Sequence, residues 1–247
     1  MKITGNTIFI TGGGSGIGRG LAEALLKEGN KIIISGRREE MLQKTIEDNP
    51  GMEYIVLDIT DKFSIESVSK QLIKNYPNLN ILINNAGIMR AENIKELNYL
   101  EDSEEIITTN LLGPIRMTAS LLSHLQKQKE ATIINVSSGL AFVPLVFTPT
   151  YSATKAAIHS YTQSLRSQLS LTNIKVIEIV PPAVQTDLMD TPNRSRAMPL
   201  EDFINETITI LKNEPDIKET LVERVTLLRF AESTSKFDET FKMVNNL

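Results

Sequence analysis

Short apolar runs recur along the chain, separated by longer segments in which apolar residues return every three or four positions. The runs are Thr7–Thr11 (TIFIT), Lys31–Ser35 (KIIIS), Glu53–Asp58 (EYIVLD), Asn80–Asn84 (NILIN), Thr132–Val136 (TIINV) and Lys175–Val180 (KVIEIV), with a weaker seventh at Thr220–Val225. Each is nearly continuously apolar rather than alternating, the pattern of a strand covered on both faces. The segments Gly18–Lys27, Glu39–Glu47, Lys62–Asn75, Asp102–Lys127 and Ser152–Ser170 have helical spacing and length. Strand–helix–strand repetition predicts an α/β fold with a doubly wound parallel sheet of six or seven strands. The stretch Met189–Pro199 (MDTPNRSRAMP) is the most loop-like, and a helix pattern follows at Leu200–Lys212. Too little chain remains after it for a second domain. It is read as a lid, near residues 188–212, on a single domain spanning 1–247.

Composition narrows the function classes. At about 150 residues per domain, 247 residues allow one large domain or two small ones. Hydrophobic residues at 41% and charged residues at 23% are those of a globular chain rather than a disordered one. A net charge of -4 gives no reason to expect nucleic acid or an anionic membrane as partner. With no Cys, disulfides, thiolate nucleophiles and Cys-ligated zinc all drop out. Only His124 and His159 are present, too few for a His-rich metal site, and no metal is expected. The apolar start is interrupted at Gly5 and Asn6, and no run approaches about 18 apolar residues. A cytoplasmic protein is the expectation.

The first strand runs into Thr11-Gly12-Gly13-Gly14-Ser15-Gly16-Ile17-Gly18 and then a helix beginning near Gly16. Glycines at a strand-to-helix turn let backbone approach a pyrophosphate, and the helix N-terminus offers unpaired N–H donors. Four glycines among residues 12–16 favour phosphate binding over an ordinary turn. No Gly-Lys-Ser/Thr follows, so this is not a P-loop, and the spacing is T-G-x-x-x-G-x-G rather than G-x-G-x-x-G. The second strand ends at Ser35-Gly36-Arg37-Arg38. An Asp or Glu there would take the ribose 2′-OH of NAD. Two guanidinium groups instead suit a 2′-phosphate, so NADP(H) is expected in preference to NAD(H). The competing reading of Arg37 and Arg38 is a solvated basic start to the next helix.

Tyr151 and Lys155 stand one turn apart on one helix face. A free phenol, with a pKa of about 10, is a poor acid–base at neutral pH. A nearby ammonium is expected to lower that pKa, so that the phenol can protonate a developing alkoxide or deprotonate an alcohol. Ser138, at the end of the TIINVSS strand, could donate to the same substrate oxygen; alone it reads as a helix cap or turn residue.

Taken together these motifs resemble the short-chain dehydrogenase/reductases, through about residue 190. The loop at 11–18 looks like the family's cofactor loop, contributing Gly12, Gly14, Ser15, Gly16, Ile17 and Gly18. Asn84-Asn85-Ala86-Gly87 looks like its N-N-A-G motif, and Asp58, followed by Ile59, matches the acidic residue that contacts adenine. Asn110, Ser138, Tyr151 and Lys155 match its catalytic tetrad in order and spacing. The resemblance implies a Rossmann-type fold, Tyr151 as acid–base and Lys155 lowering its pKa while hydrogen-bonding the nicotinamide ribose. It also implies Ser138 polarising a carbonyl and Asn110 holding a water in a proton relay. Asn84, Ala86, Gly87, Pro181, Val184 and Thr186 would complete the cofactor site, with Thr186 at the carboxamide, and the resemblance favours Arg37, directly after the second strand, over Arg38 as the arginine that binds the 2′-phosphate.

Pro182 departs from the family by replacing a Gly and fixing φ near -65°. The family's C-terminal D-G-G strand is missing as well, and residues 213–247 have no assigned role. The segments PPAVQTDL and RAMPLEDF resemble a bacterial subgroup, that of an oxidoreductase associated with lipoteichoic-acid D-alanylation. The expectation is an NADP(H)-dependent oxidoreductase acting on a small carbonyl or secondary alcohol, assembled as a homodimer through Asp102–Lys127 and Ser152–Ser170. The alternative is a regulator that binds NAD(P)H without turnover. A scaffold protein would leave the glycine loop unexplained.

Overall fold

The structure, a computed structural model, describes residues 1–96, 99–188 and 197–247. The apolar runs form β1 (Thr7–Thr11), β2 (Lys31–Gly36), β3 (Glu53–Val56), β4 (Leu79–Asn84), β5 (Ala131–Val136), β6 (Ile174–Ile179) and β7 (Glu219–Thr220). They make one seven-stranded sheet, β3-β2-β1-β4-β5-β6-β7, in which every neighbouring pair is parallel. The helices are α1 (Gly16–Lys27), α2 (Glu39–Asp48), α3 (Lys62–Asn75), α4 (Tyr99–Ile107), α5 (Gly113–Leu125), α6 (Pro149–Gln168), α7 (Leu200–Asn213), α8 (Thr226–Arg229) and α9 (Phe237–Asn245).

Because successive side chains leave opposite faces of a strand, each run feeds two cores. Ile8, Ile10, Ile32, Ile34 and Ile83 pack with Leu21 and Leu25 of α1 and Phe203 and Leu211 of α7. Phe9, Ile33, Leu82 and Ile133 pack on the other side with Leu72 of α3 and Met117 and Leu121 of α5. Strand order reverses at β1, whose neighbours are β2 and β4. The crevice beyond the carboxyl ends of β1 and β4 is therefore the topological switch point, where α/β sheets bind ligands.

Three elements differ from their sequence reading. The helix expected over Asp102–Lys127 is two helices joined by a π-helical turn, Thr108–Leu112. Pro114 explains the restart: it lacks an N–H and suits the first turn of a new helix, α5. Third in sequence order, β3 stops at Val56, two residues early, because the Asp58 carboxylate folds the chain into a turn, accepting from Thr60 N at 2.9 Å and Thr60 Oγ1 at 2.7 Å. The seventh strand is two residues long, and Glu223–Val225 is a 3-10 turn that sinks Val225 into the core.

The lid expectation falls largely on residues 189–196, outside the described residues. The chain on either side of them is tied together. Gln185 N donates to Met198 O at 2.9 Å and Met198 N to Ala183 O at 2.8 Å, a parallel bridge between Val184 and Met198. The helix α7, which the sequence reading groups with the lid, is seated on α1: Gly20 faces Ile204 across the contact.

Candidate active site

The glycine loop is shaped by contacts that no side chain could survive. Gly12 has φ +70, and a Cβ there would lie 2.8 Å from Ala86 Cα. A Cβ on Gly18 would meet Gly12 O at 2.2 Å. Gly14 packs on Leu42 of α2, Ile17 lies partly buried against the core, and a Cβ on Gly16, which has φ +54, would meet the Thr186 side chain at 3.4 Å. Ser15 precedes α1 without a side-chain cap, and the first turn carries no acidic residue. The leading N–H groups of α1 therefore face the crevice without side-chain competition, which suits an anionic group.

Two side chains clamp this loop to the end of β4. Thr11 Oγ1 accepts from Asn85 N and Ala86 N, each at 3.1 Å, and Asn85 Nδ2 donates to Thr11 O and Gly12 O. Asn85 was absent from the sequence-derived site, although the N-N-A-G motif contains it. Asn84 turns the opposite way. Its amide donates to Thr118 Oγ1 at 3.1 Å and Asn135 Oδ1 at 2.9 Å, inside the sheet–helix layer. Its side chain is thus committed to the interior and not to the glycine loop.

At the end of β2 the two arginines diverge. Arg38 Nη2 donates to Ser15 Oγ at 3.4 Å, which brings it to the glycine loop. Arg37, the arginine the sequence reading favours for the 2′-phosphate, instead leans on Glu105 of α4 at 3.5 Å, a carboxylate also held by Arg90 at 2.5 Å. Asp58 and Ile59 follow β3, with Ile59 buried against Gly113. After β6, Pro181 O accepts from Gly139 N at 2.8 Å. Among the described residues of this loop none has positive φ, so Pro182 fits without backbone strain.

The four tetrad positions lie beyond β4 and β5. Ser138, in extended backbone after β5, caps the turn Gly139–Ala141, its Oγ accepting from Leu140 N at 3.1 Å. Tyr151 and Lys155 occupy the first two turns of α6 and are 6% and 5% exposed. Lys155 Nζ donates to Val136 O at 2.9 Å and lies 5.5 Å from the Tyr151 ring centroid. Asn110 sits in the π turn. Its Oδ1 accepts from Ile88 N, and its Nδ2 donates to Ile88 O and to Thr154 Oγ1 at 3.3 Å. Thr154 in turn donates to Tyr151 O at 2.7 Å. Gly87 completes the packing, since a Cβ there would meet Asn110 Oδ1 at 3.3 Å.

One expectation is reversed. Burial pushes the Tyr151 phenol up to about 12, opposed by a hydrogen bond with Ser138, so the ammonium does not set its titration in this structure. The reason is geometric. Lys155 lies beside the ring and spends a hydrogen bond on Val136, and burial drives its own pKa down to about 8, against the pull of Glu178. Desolvation is the largest cause of the shift in both groups.

Sequence reasoning also missed the cap of α6. Thr148 gives no side-chain cap. The carboxylate of Glu92, 58 residues away, accepts from Thr150 N at 2.8 Å and from Ser103 Oγ at 2.5 Å. It therefore anchors the turn that carries Tyr151 to α4.

A family model described as short chain dehydrogenase matches residues 6–197. The chain belongs to the short-chain dehydrogenase family, and with it to a class of oxidoreductases built on this fold. It is 39% identical over 256 residues to the protein described as uncharacterized oxidoreductase DltE of Bacillus subtilis (strain 168), covering 99% of this chain and 98% of that one. It is 33% identical over 190 residues to an uncharacterized oxidoreductase of Staphylococcus epidermidis, covering 76% of this chain and 82% of the relative. Among solved structures, a short chain dehydrogenase from Burkholderia cenocepacia in complex with NADP superposes with a TM-score of 0.82 at 24% identity, covering 98% of each chain. The 3-ketoacyl-(acyl-carrier-protein) reductase from Brucella melitensis complexed with NADH superposes at 0.81 with 25% identity, covering 91% of this chain and all of that one. No helix among the described residues is long and apolar enough to cross a membrane.

Proposed function

We propose that this protein is an NADP(H)-dependent oxidoreductase acting on a small carbonyl compound or secondary alcohol, with Tyr151 as the acid–base. The observation that carries the reading is the convergence of Ser138, Tyr151 and Lys155 at the carboxyl ends of the strands, next to the glycine cradle. The cradle fits a dinucleotide. Gly12 and Gly18 leave room only for backbone, and α1 presents an uncapped N-terminus to a pyrophosphate. When bound, the nicotinamide supplies or accepts hydride at C4.

The chain's own groups handle the proton and the oxygen. Ser138 donates to the substrate oxygen, and Tyr151 Oη gives a proton to it in reduction or takes one in oxidation. Lys155 answers to Tyr151 on one side and to the ribose hydroxyls on the other. The side-chain donors of Asn110 are committed to Ile88 and Thr154. Its share in a water relay therefore falls to its backbone, in a π turn of the kind often found at functional sites. The 2′-phosphate of NADP is assigned to Arg38 and Ser15, with Arg37 reaching it by leaving Glu105. Asp58, Ile59, Ala86, Gly87, Pro181, Val184 and Thr186 complete the cofactor contacts, with Asn84 contributing through its backbone.

Exposed Leu100, Ile107 and Leu112 on α4 and the π turn support a homodimer through that face, checked by light scattering. The activity is tested by following NADPH absorbance across a panel of aldehydes, ketones and alcohols. Turnover of at least one compound, abolished in Tyr151→Phe, is the expected result. Turnover unaffected by that change would overturn the assignment of Tyr151.

A further inference from the structure

The face of α6 that carries Tyr151 and Lys155 continues one turn further to His159. This histidine meets a fully buried carboxylate, Glu178 of β6, whose side chain is 0% exposed. His159 Nδ1 lies 2.9 Å from Glu178 Oε2 and 3.1 Å from Oε1. Nothing in hydride transfer uses either residue. Glu178 interrupts an otherwise apolar strand, and a carboxylate removed from water is costly unless paired.

The sheet register puts this carboxylate beside the anchor of Lys155. Glu178 is level with Asn135 on β5, and the next residue, Val136, provides the carbonyl that holds Lys155 Nζ. Both Asn135 and Glu178 point their side chains at α6, one to Thr162 and the other to His159.

The charged groups around Glu178 come from three elements. Lys155 and His159 belong to α6, with Arg166 further along and spent on Val176 O and Lys218 O. Glu219 comes from β7 and Arg229 from α8. Arg229 lies 2.7 and 3.2 Å from the two Glu219 oxygens, so it already serves as that carboxylate's cation. The donor atoms of His159, Glu178 and Glu219 lie within 4.8 Å of one another. Arg229, although hydrogen-bonded to Glu219, also acts on Glu178 through space, so the charges facing Glu178 are those of Lys155, Arg229 and, when protonated, His159, opposed by the Glu219 carboxylate.

We propose that Glu178, held by His159, is a positioning residue of the Tyr151–Lys155 pair, a buried counter-charge that keeps the Lys155 ammonium protonated and α6 docked on β6. This rests on reading Tyr151 and Lys155 as the acid–base pair. It also gives part of the unassigned C-terminal segment a role: Glu219 and Arg229 close the cluster, while Val225 and Leu228 pack against Gly139, next to Ser138. The pull of Glu178 on the Lys155 titration agrees with this geometry.

The test is a pH titration of the full-length protein, without cofactor, labelled with [ε-13C]lysine and ring-labelled histidine. Lys155 is assigned by comparison with Lys155→Arg, and His159 is one of only two histidines. In Glu178→Gln the Lys155 midpoint should fall by about one pH unit or more, and Glu178→Asp should restore it. In the wild type, the Lys155 resonance should carry a second inflection at the midpoint of His159. That measurement needs no variant and decides the question even if Glu178→Gln fails to fold. An unshifted Lys155 in folded Glu178→Gln, or a wild-type Lys155 curve with no inflection at the His159 midpoint, overturns the proposal. Neither measurement involves turnover, so the acid–base reading stands or falls separately, on Tyr151→Phe.

Discussion

Gly12 and Ala86 approach so closely that a Cβ on Gly12 would sit 2.8 Å from Ala86 Cα, against backbone that cannot turn aside. The contact joins the carboxyl ends of β1 and β4, the two strands that define the crevice. Gly12→Ala should therefore both strain φ and separate these strands. Gly51 provides the control, since it has φ +96 with nothing within 4 Å of its Cβ. Gly51→Ala should cost about 1–2 kcal/mol, the penalty of the left-handed backbone alone. Gly12→Ala should cost more and abolish NADPH binding, as read by urea unfolding and by titration of NADPH fluorescence.

Tyr151→Phe separates chemistry from packing. The ring is buried and remains in the variant, and only the hydroxyl is lost. The unfolding midpoint and NADPH affinity should stay near wild type, while turnover falls about 100- to 10,000-fold, the usual worth of a positioned acid–base. A large loss of stability would show that the hydroxyl, through Ser138, is chiefly structural.

The strands and the glycine loop were legible because their signals are local. An apolar run between turn residues is a buried strand, and a glycine cluster after it is a close approach of backbone. The break in the Asp102–Lys127 segment had a local sign too, in Gly113-Pro114, but helical spacing across it masked the interruption. The Glu92 cap of α6 had none, because its partners lie 11 and 58 residues away. The direction of the Tyr151 titration was equally hidden. Spacing puts an ammonium on the same helix face, but only the fold decides where that ammonium points and how far both groups are removed from water.

Cofactor preference turns on which arginine is free to act. Arg38 already reaches Ser15, whereas Arg37 is drawn to Glu105. A charge-assisted bond is worth roughly 1.5–3 kcal/mol, or about 10- to 150-fold in affinity. Arg38→Ala should weaken NADPH by at least the lower figure and leave NADH nearly unchanged. Arg37→Ala should have a smaller effect, because Glu105 competes for that guanidinium. Isothermal titration with both cofactors checks this, and equal affinity of the wild type for NADPH and NADH would remove the basis for either effect.

The buried Lys155 makes stability depend on pH in a defined direction. Its folded pKa of about 8 lies below the ordinary 10.5 because burial disfavours the charge. Between those values the unfolded chain binds a proton that the folded chain has lost, so stability rises with pH across that window. Tyr151 acts in the opposite sense and later. Its folded pKa is about 12 against an ordinary 10, so above pH 10 the folded chain retains a proton that the unfolded chain releases, and stability falls. Lys155→Met removes the first contribution and keeps most of the side-chain volume. From pH 8 to pH 10 the wild type should gain on Lys155→Met by an amount on the order of 2 kcal/mol, at 1.36 kcal/mol for each pH unit of displaced titration. Urea midpoints of the two proteins, measured in parallel over this range, give the difference directly. Parallel curves would mean that Lys155 is paired well enough to titrate alike in both states, and that its burial costs the fold nothing.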